Sequence, residues 1–203
     1  MHVANGAIAI LLGLWIQATV KGTGQHRRVG RVYVGFTLVV CATAIVGNAV
    51  FRFMPLFAVL TVLVLYQLLS GWHVVYTKAA GPNRLDALLS LGATVSALTL
   101  AALVLGSSKR ESAPVVIYDA LRWLLSTAWH AASWRYEHIY KILASMYAMF
   151  SAAMGNSFPQ AQPWSQLLPS ALEIATIAWF CCQEYRNRAQ RAAAVLAPLR
   201  RSA

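Results

Sequence analysis

The chain has 203 residues, of which 59% are hydrophobic and only 11% charged, and its formal net charge is +11. A soluble domain carries about 25% charged residues, so this chain has too few to solvate a water-facing surface. Its bases lie in short clusters between long apolar runs, which argues against a nucleic-acid-binding face and for a polytopic membrane protein whose bases mark the cytoplasmic side.

The opening MHVANGAIAILLGLWIQATV has no basic residue ahead of its apolar core; Lys21 and Arg27 come after it. That order is the reverse of a cleaved signal peptide and predicts a retained first span over about 3–20, entering with its N-terminus outside. Gly6 and Gly13 are seven residues apart, share a helix face and would let a neighbouring helix approach closely. GQHRRVGR, Gly24 to Arg31, reads as a cytoplasmic elbow, each base worth about 1 kcal/mol beside an anionic leaflet.

A second span covers 32–51. Met54-Pro55 ends it, and a third covers 56–76. The polar turn TKAAGPNRLD leads to a fourth over 87–105. The segment 114–130 carries Asp119 and Arg122, and reads either as a fifth span or as an amphipathic helix lying in the interface. A short sixth candidate covers 139–154. GNSFPQAQPWSQLLP, interrupted by Pro159, Pro163 and Pro169, is expected to fold as a cap over the bundle. The last span covers 164–182 with Glu173 near its middle, and 183–203 is a basic cytoplasmic tail.

The first four runs and the last are close to the roughly 20 mostly apolar residues a crossing helix needs. Lipid offers no hydrogen-bond partner, so each crossing must satisfy its own backbone, and the fold class is an all-α transmembrane bundle in a single domain. With seven spans, thirteen bases fall inside (Lys141 among them) and only Arg52, Lys109 and Arg110 outside. That bias favours seven spans, with the N-terminus outside and the C-terminus cytoplasmic, over six; five remain open if both short segments lie flat. Trp15, Trp72, Trp129, Trp134 and Trp164 sit near span ends as interfacial anchors do.

HRRVGRVYV after the first span, GWHVVYTK followed by NRLDALLSLGATVSAL, and WRYEHIYKILASM are short motifs spread along most of the chain. They resemble a family of bacterial multi-pass membrane proteins without an assigned function. The resemblance implies a seven-helix topology and an uncharacterised function, and supplies no catalytic residue; the expected location is the bacterial inner membrane. Asp119 and Arg122 make the fifth segment more polar than the resemblance implies.

Two constellations could carry chemistry. Asp119 and Arg122 share a helix face, and Glu173 falls mid-span; ionisable groups in hydrocarbon are costly, so these three are candidates for a small-molecule or proton site in a binder or transporter. The plainer reading is a buried structural ion pair. Four histidines, His26, His73, His130 and His138, fall on the cytoplasmic side, His130 ending the fifth span and His138 opening the sixth. Imidazoles at one depth on neighbouring helices could ligate a b-type haem or a metal ion, with Glu137 nearby. The plainer reading has them capping helix ends among headgroups, and no cofactor is expected. Gln17, Asn48, Gln67 and Asn156 can bridge helices for about 1 kcal/mol each. Cys41, Cys181 and Cys182 form no CxxC and read as core filler. No GxSxG, HExxH, phosphate loop or dinucleotide glycine set is present, so no catalysis is expected. A third class stays open, an accessory subunit partnered by lipid, by further copies of itself or by a membrane complex.

Overall fold

The structure, a computed structural model, describes residues 1–51, 53–105, 121 and 124–201. Asp119 and Arg122 lie outside the described residues, as does most of the predicted span 114–130. Among the described residues the chain is all-helical: α1 His2–Ala18, α2 Gly24–Val50, α3 Pro55–Thr77, α4 Arg84–Leu105, α5 Thr127–Ser157 and α6 Trp164–Arg201, with short 3-10 turns at Lys78–Ala80 and Pro159–Ala161.

Local chemistry sets the boundaries. Proline at the start of α3 costs nothing, because the first-turn N–H has no helical acceptor. Thr23 Oγ1 accepts from His26 N at 3.2 Å and caps α2. Asn83 and Asp86 form a reciprocal box at α4: Asn83 Oδ1 accepts from Asp86 N at 3.3 Å, and Asp86 Oδ2 accepts from Asn83 N at 3.0 Å. Ser126 Oγ accepts from Trp129 N at 3.3 Å and starts α5.

That last cap corrects the sequence reading. His130 does not end one span while His138 opens another; both belong to α5, which begins at Thr127 instead of 139. The predicted cap loop also shrinks. α5 runs on to Ser157 and α6 starts at Trp164, leaving only a short connection. Pro169 is buried within α6 instead of interrupting it. It lies in the second turn, where it removes a single backbone bond. The predicted basic tail is helical as far as Arg201, where α6 ends.

Side-chain pairs fix the helix directions. His73 meets Asp86 and Tyr66 meets Ser90, so α3 and α4 are antiparallel. His138 meets Gly71 and Lys141 meets Ser70, so α3 and α5 are antiparallel too. Arg135 meets Glu184 and Tyr147 meets Thr176, which sets α6 antiparallel to α5. One end of the bundle therefore gathers the α1–α2 and α3–α4 connections, the start of α5 and the later half of α6. Lys21, Arg27, Arg28, Arg31, Lys78, Arg84, Arg135, Arg186, Arg188 and Arg191 all belong to that basic end. α4 and α5 both start there and both run toward the opposite end.

The core joins Ala9 and Ile16 of α1, Tyr33, Val34 and Cys41 of α2, Val64 and Leu68 of α3, and Leu143, Met146 and Met149 of α5. Gly13 is buried where a Cβ would run into the Met146 thioether, so α1 closes tightly on α5 there. Gly6 has nothing within 4 Å and plays no such part. Many large apolar side chains instead face outward, including Leu11, Ile45, Val46, Leu88, Ile174 and Trp179.

Among the described residues three helices are long and apolar enough to cross a membrane: Gly24–Val50, Phe57–Thr77 and Trp164–Ala194. α1 is apolar but has 17 residues. α5 has 31 but is too polar to join them, with Arg135, Glu137, His138 and Lys141 in its first half. α6, at 38 residues, spans about 57 Å against a hydrocarbon core of about 30 Å, so it is far longer than one crossing needs. Trp15, Trp72, Trp129 and Trp164 are exposed, as interfacial anchors would be, whereas Trp134 lies beneath Lys78 Nζ (5.9 Å) and Arg135 Cζ (5.2 Å).

Candidate functional site

Where α2, α3 and α5 meet, about seven residues in from the end of α3, the apolar core gives way to a polar nucleus. Lys141 of α5 is its most unusual member. Only 1% of its surface is exposed; its Nζ donates to Ser70 Oγ at 2.7 Å and stands 5.6 Å above the Tyr66 ring. The sequence reading counted Lys141 among the cytoplasmic loop bases. It is instead carried inward because α5 starts at Thr127, some four turns earlier.

Gly71 makes that burial possible. A Cβ there would lie 2.8 Å from Lys141 Cβ and 3.3 Å from two Ile142 side-chain carbons. Only a glycine lets α3 and α5 approach this closely, one residue from the Lys141–Ser70 bond. His138 Nδ1 bonds the Gly71 carbonyl at 2.8 Å and ties the two helices again.

The α2 side is polar as well. Tyr33 OH and Ser145 Oγ are 3.1 Å apart, both fully buried. Thr37, one turn along α2, is 0% exposed, and Gln67, one turn along α3, is 5% exposed. Thr37 Oγ1 and Gln67 Oε1 have no hydrogen-bond partner among the described residues. Leaving such an atom unsatisfied costs about 1–3 kcal/mol, so a purely structural core would select against both. Glu137 is buried one turn before Lys141 on the same face of α5.

Nearer the basic end, His73 Nδ1 pairs with Asp86 Oδ1 at 3.1 Å, and that carboxylate is itself held by the start of α4. His130 packs on Gly81, whose φ of +80° and missing Cβ accommodate the ring; a Cβ there would sit 2.7 Å from His130 Cδ2. His26 Nδ1 is 3.1 Å from Thr19 Oγ1. The four histidines thus share one end of the bundle, but each is engaged by a different segment. Among the described residues no three His, Cys, Asp or Glu side chains group as metal ligands.

Lys21 crosses the α1–α2 connection, donating to the Ile16 and Gln17 carbonyls at 2.9 and 3.1 Å and lying 4.5 Å over the Phe180 ring. Burial holds its amine below the usual lysine range. Arg135 Nη1 donates to Glu184 Oε1 and Arg188 Nη1 to the Ala132 carbonyl, each at 2.7 Å, clamping α5 to α6. Glu173 is half-buried on α6, three residues before Thr176, and that hydroxyl meets Tyr147. This register puts Glu173 further from the basic end than Lys141, so the two do not share a site. Cys41 is buried as expected, while Cys182 is exposed on the helical surface.

The sequence reading noted Gln67 and missed the nucleus. A usable signal was present: Glu137, Lys141 and Ser145 recur at intervals of four, a polar stripe on one helix face.

No family model matches the chain, and comparison with curated proteins and with solved structures returns no significant match.

Proposed function

We propose that this is a seven-crossing protein of the bacterial inner membrane, N-terminus outside and C-terminus cytoplasmic, that binds or transports a small polar molecule at the α2–α3–α5 nucleus. One observation carries the reading: Lys141 is buried inside the bundle with its Nζ bonded to Ser70 Oγ, and Tyr33, Thr37, Gln67 and Ser145 are also buried on α2, α3 and α5. An ammonium in hydrocarbon is costly, and natural bundles keep such groups where a ligand or ion uses them.

The seven spans proposed are those read from the sequence, and the common starting end of α4 and α5 is compatible with them. The gathering of bases at that one end supports a cytoplasmic assignment. The family resemblance rests on its short motifs alone and adds only a compatible topology. Proposed binding needs no covalent step and no cofactor.

The test is thermal unfolding of the detergent-purified protein against a panel of small organic acids, amines and sugars. A stabilising compound whose effect disappears in Lys141→Met and in Gln67→Leu supports the site. A compound that stabilises the wild type and both variants equally assigns binding elsewhere.

A further inference from the structure

The inward face of α5 carries more than the nucleus. His130, Ser133, Glu137, Lys141 and Ser145 follow at spacings of three, four, four and four, which places all five on one side of the helix. The stripe starts at the basic end and stops at the level of the Tyr33–Ser145 contact. Past it the same face continues with Ala148 and Met149, in one apolar cluster with Val64 and Leu68.

Buried polar atoms without partners among the described residues follow the same course. They are His130 Nδ1, Ser133 Oγ and Thr77 Oγ1 near the basic end, then Gln67 Oε1 and Thr37 Oγ1 at the nucleus. His130 is 4% exposed. Ser165 Oγ, at the far end, is another such atom. Polar atoms buried without protein partners are the sites at which interior water binds, whereas apolar interiors stay dry.

We propose that this stripe lines a hydrated half-path, open at the basic end and closed beyond Ser145, through which water and protons reach Lys141. Its ligand class is water and the hydrated proton, which would reach the same nucleus at which the organic ligand is proposed to bind. It rests on the reading of α5 as a membrane-crossing helix. Ser70 and Tyr66 of α3 face Lys141, Glu137 and His138 lie one turn before it on its own helix, and Tyr33 of α2 meets Ser145 one turn beyond it. A path dead-ending at a buried ammonium suits a carrier that exposes its charged group to one side at a time.

The experiment uses single cysteines in a full-length background with Cys41, Cys181 and Cys182 changed to alanine. Ser133→Cys, Ser70→Cys and Ala148→Cys are reconstituted in vesicles and exposed to silver ion from one side or the other. Unreacted thiol is counted by mass spectrometry after unfolding. Each variant is repeated with Lys141→Gln, which removes the repulsion of the cation. Ser133→Cys and Ser70→Cys react only from the side bearing the basic end, and Ala148→Cys is slower from both sides by about tenfold or more, because an apolar interior stays dry. A Ser70→Cys as protected as Ala148→Cys in both backgrounds overturns the path, and so does one that reacts from both sides. Ligand binding is read separately by thermal unfolding, so the failure of either proposal leaves the other standing.

Discussion

Gly71→Ala probes the closest approach of α3 and α5. The added methyl would meet Lys141 Cβ at 2.8 Å and two Ile142 carbons at 3.3 Å. Lys141 Cβ is bonded directly to the backbone, so it cannot swing away; α5 itself must shift. Overpacking of this kind costs about 1–3 kcal/mol. Alanine returns about 1 kcal/mol of helix propensity, leaving a net effect between roughly zero and 2 kcal/mol destabilising. Gly35→Ala supplies the control, since that position has nothing within 4 Å and gains the propensity alone. Reversible unfolding in mixed micelles should therefore rank Gly71→Ala below Gly35→Ala by about 1–3 kcal/mol. A Gly71→Ala protein as stable as Gly35→Ala would refute the packing on which the nucleus depends.

Ser70→Ala removes an acceptor from a buried ammonium and should cost about 1.5–3 kcal/mol, whereas Ser70→Ala with Lys141→Met should cost less than the sum of the two; a double-mutant cycle in the same micelles reads the difference. Arg135→Ala should cost no more than about 1 kcal/mol and lose that effect in concentrated salt, because its side chain is 41% exposed; unfolding at two ionic strengths checks it. Lys21 binds its proton less readily folded than unfolded, so stability should rise as pH climbs toward the ordinary lysine value of 10.5. Subtracting the pH–stability curve of Lys21→Met isolates that rise, and a flat difference curve contradicts it.

The apolar runs made most of the bundle legible. Residues 3–20, 32–51, 56–76, 87–105 and 164–182 all fall largely within α1, α2, α3, α4 and α6, because a long apolar run has little choice but to be helical. The α3–α4 turn was legible too, through its glycine, proline and asparagine. α5 was not, for a physical reason. Hydropathy averages around the helix, and α5 is polar on one face, so 127–130 read as the end of a separate segment, 131–138 as its connection and Lys141 as a cytoplasmic-side base. Ser126 as a cap and the four-residue recurrence from Glu137 to Ser145 were the better guides. Pairings between distant segments, such as Lys141 with Ser70 or Tyr33 with Ser145, depend on how helices dock, and no local pattern carries that.

Sidedness tests the central claim most directly: the basic end faces the cytoplasm and the nucleus lies within a bundle that crosses the membrane. A fluorescent reporter that matures only in the cytoplasm is fused after Ala203, and an alkaline phosphatase active only in the periplasm is inserted after Gln160, in separate full-length chains. Both reporters should be active. A silent reporter at Ala203 with a silent phosphatase at Gln160, or either fusion in the soluble fraction, would contradict the account.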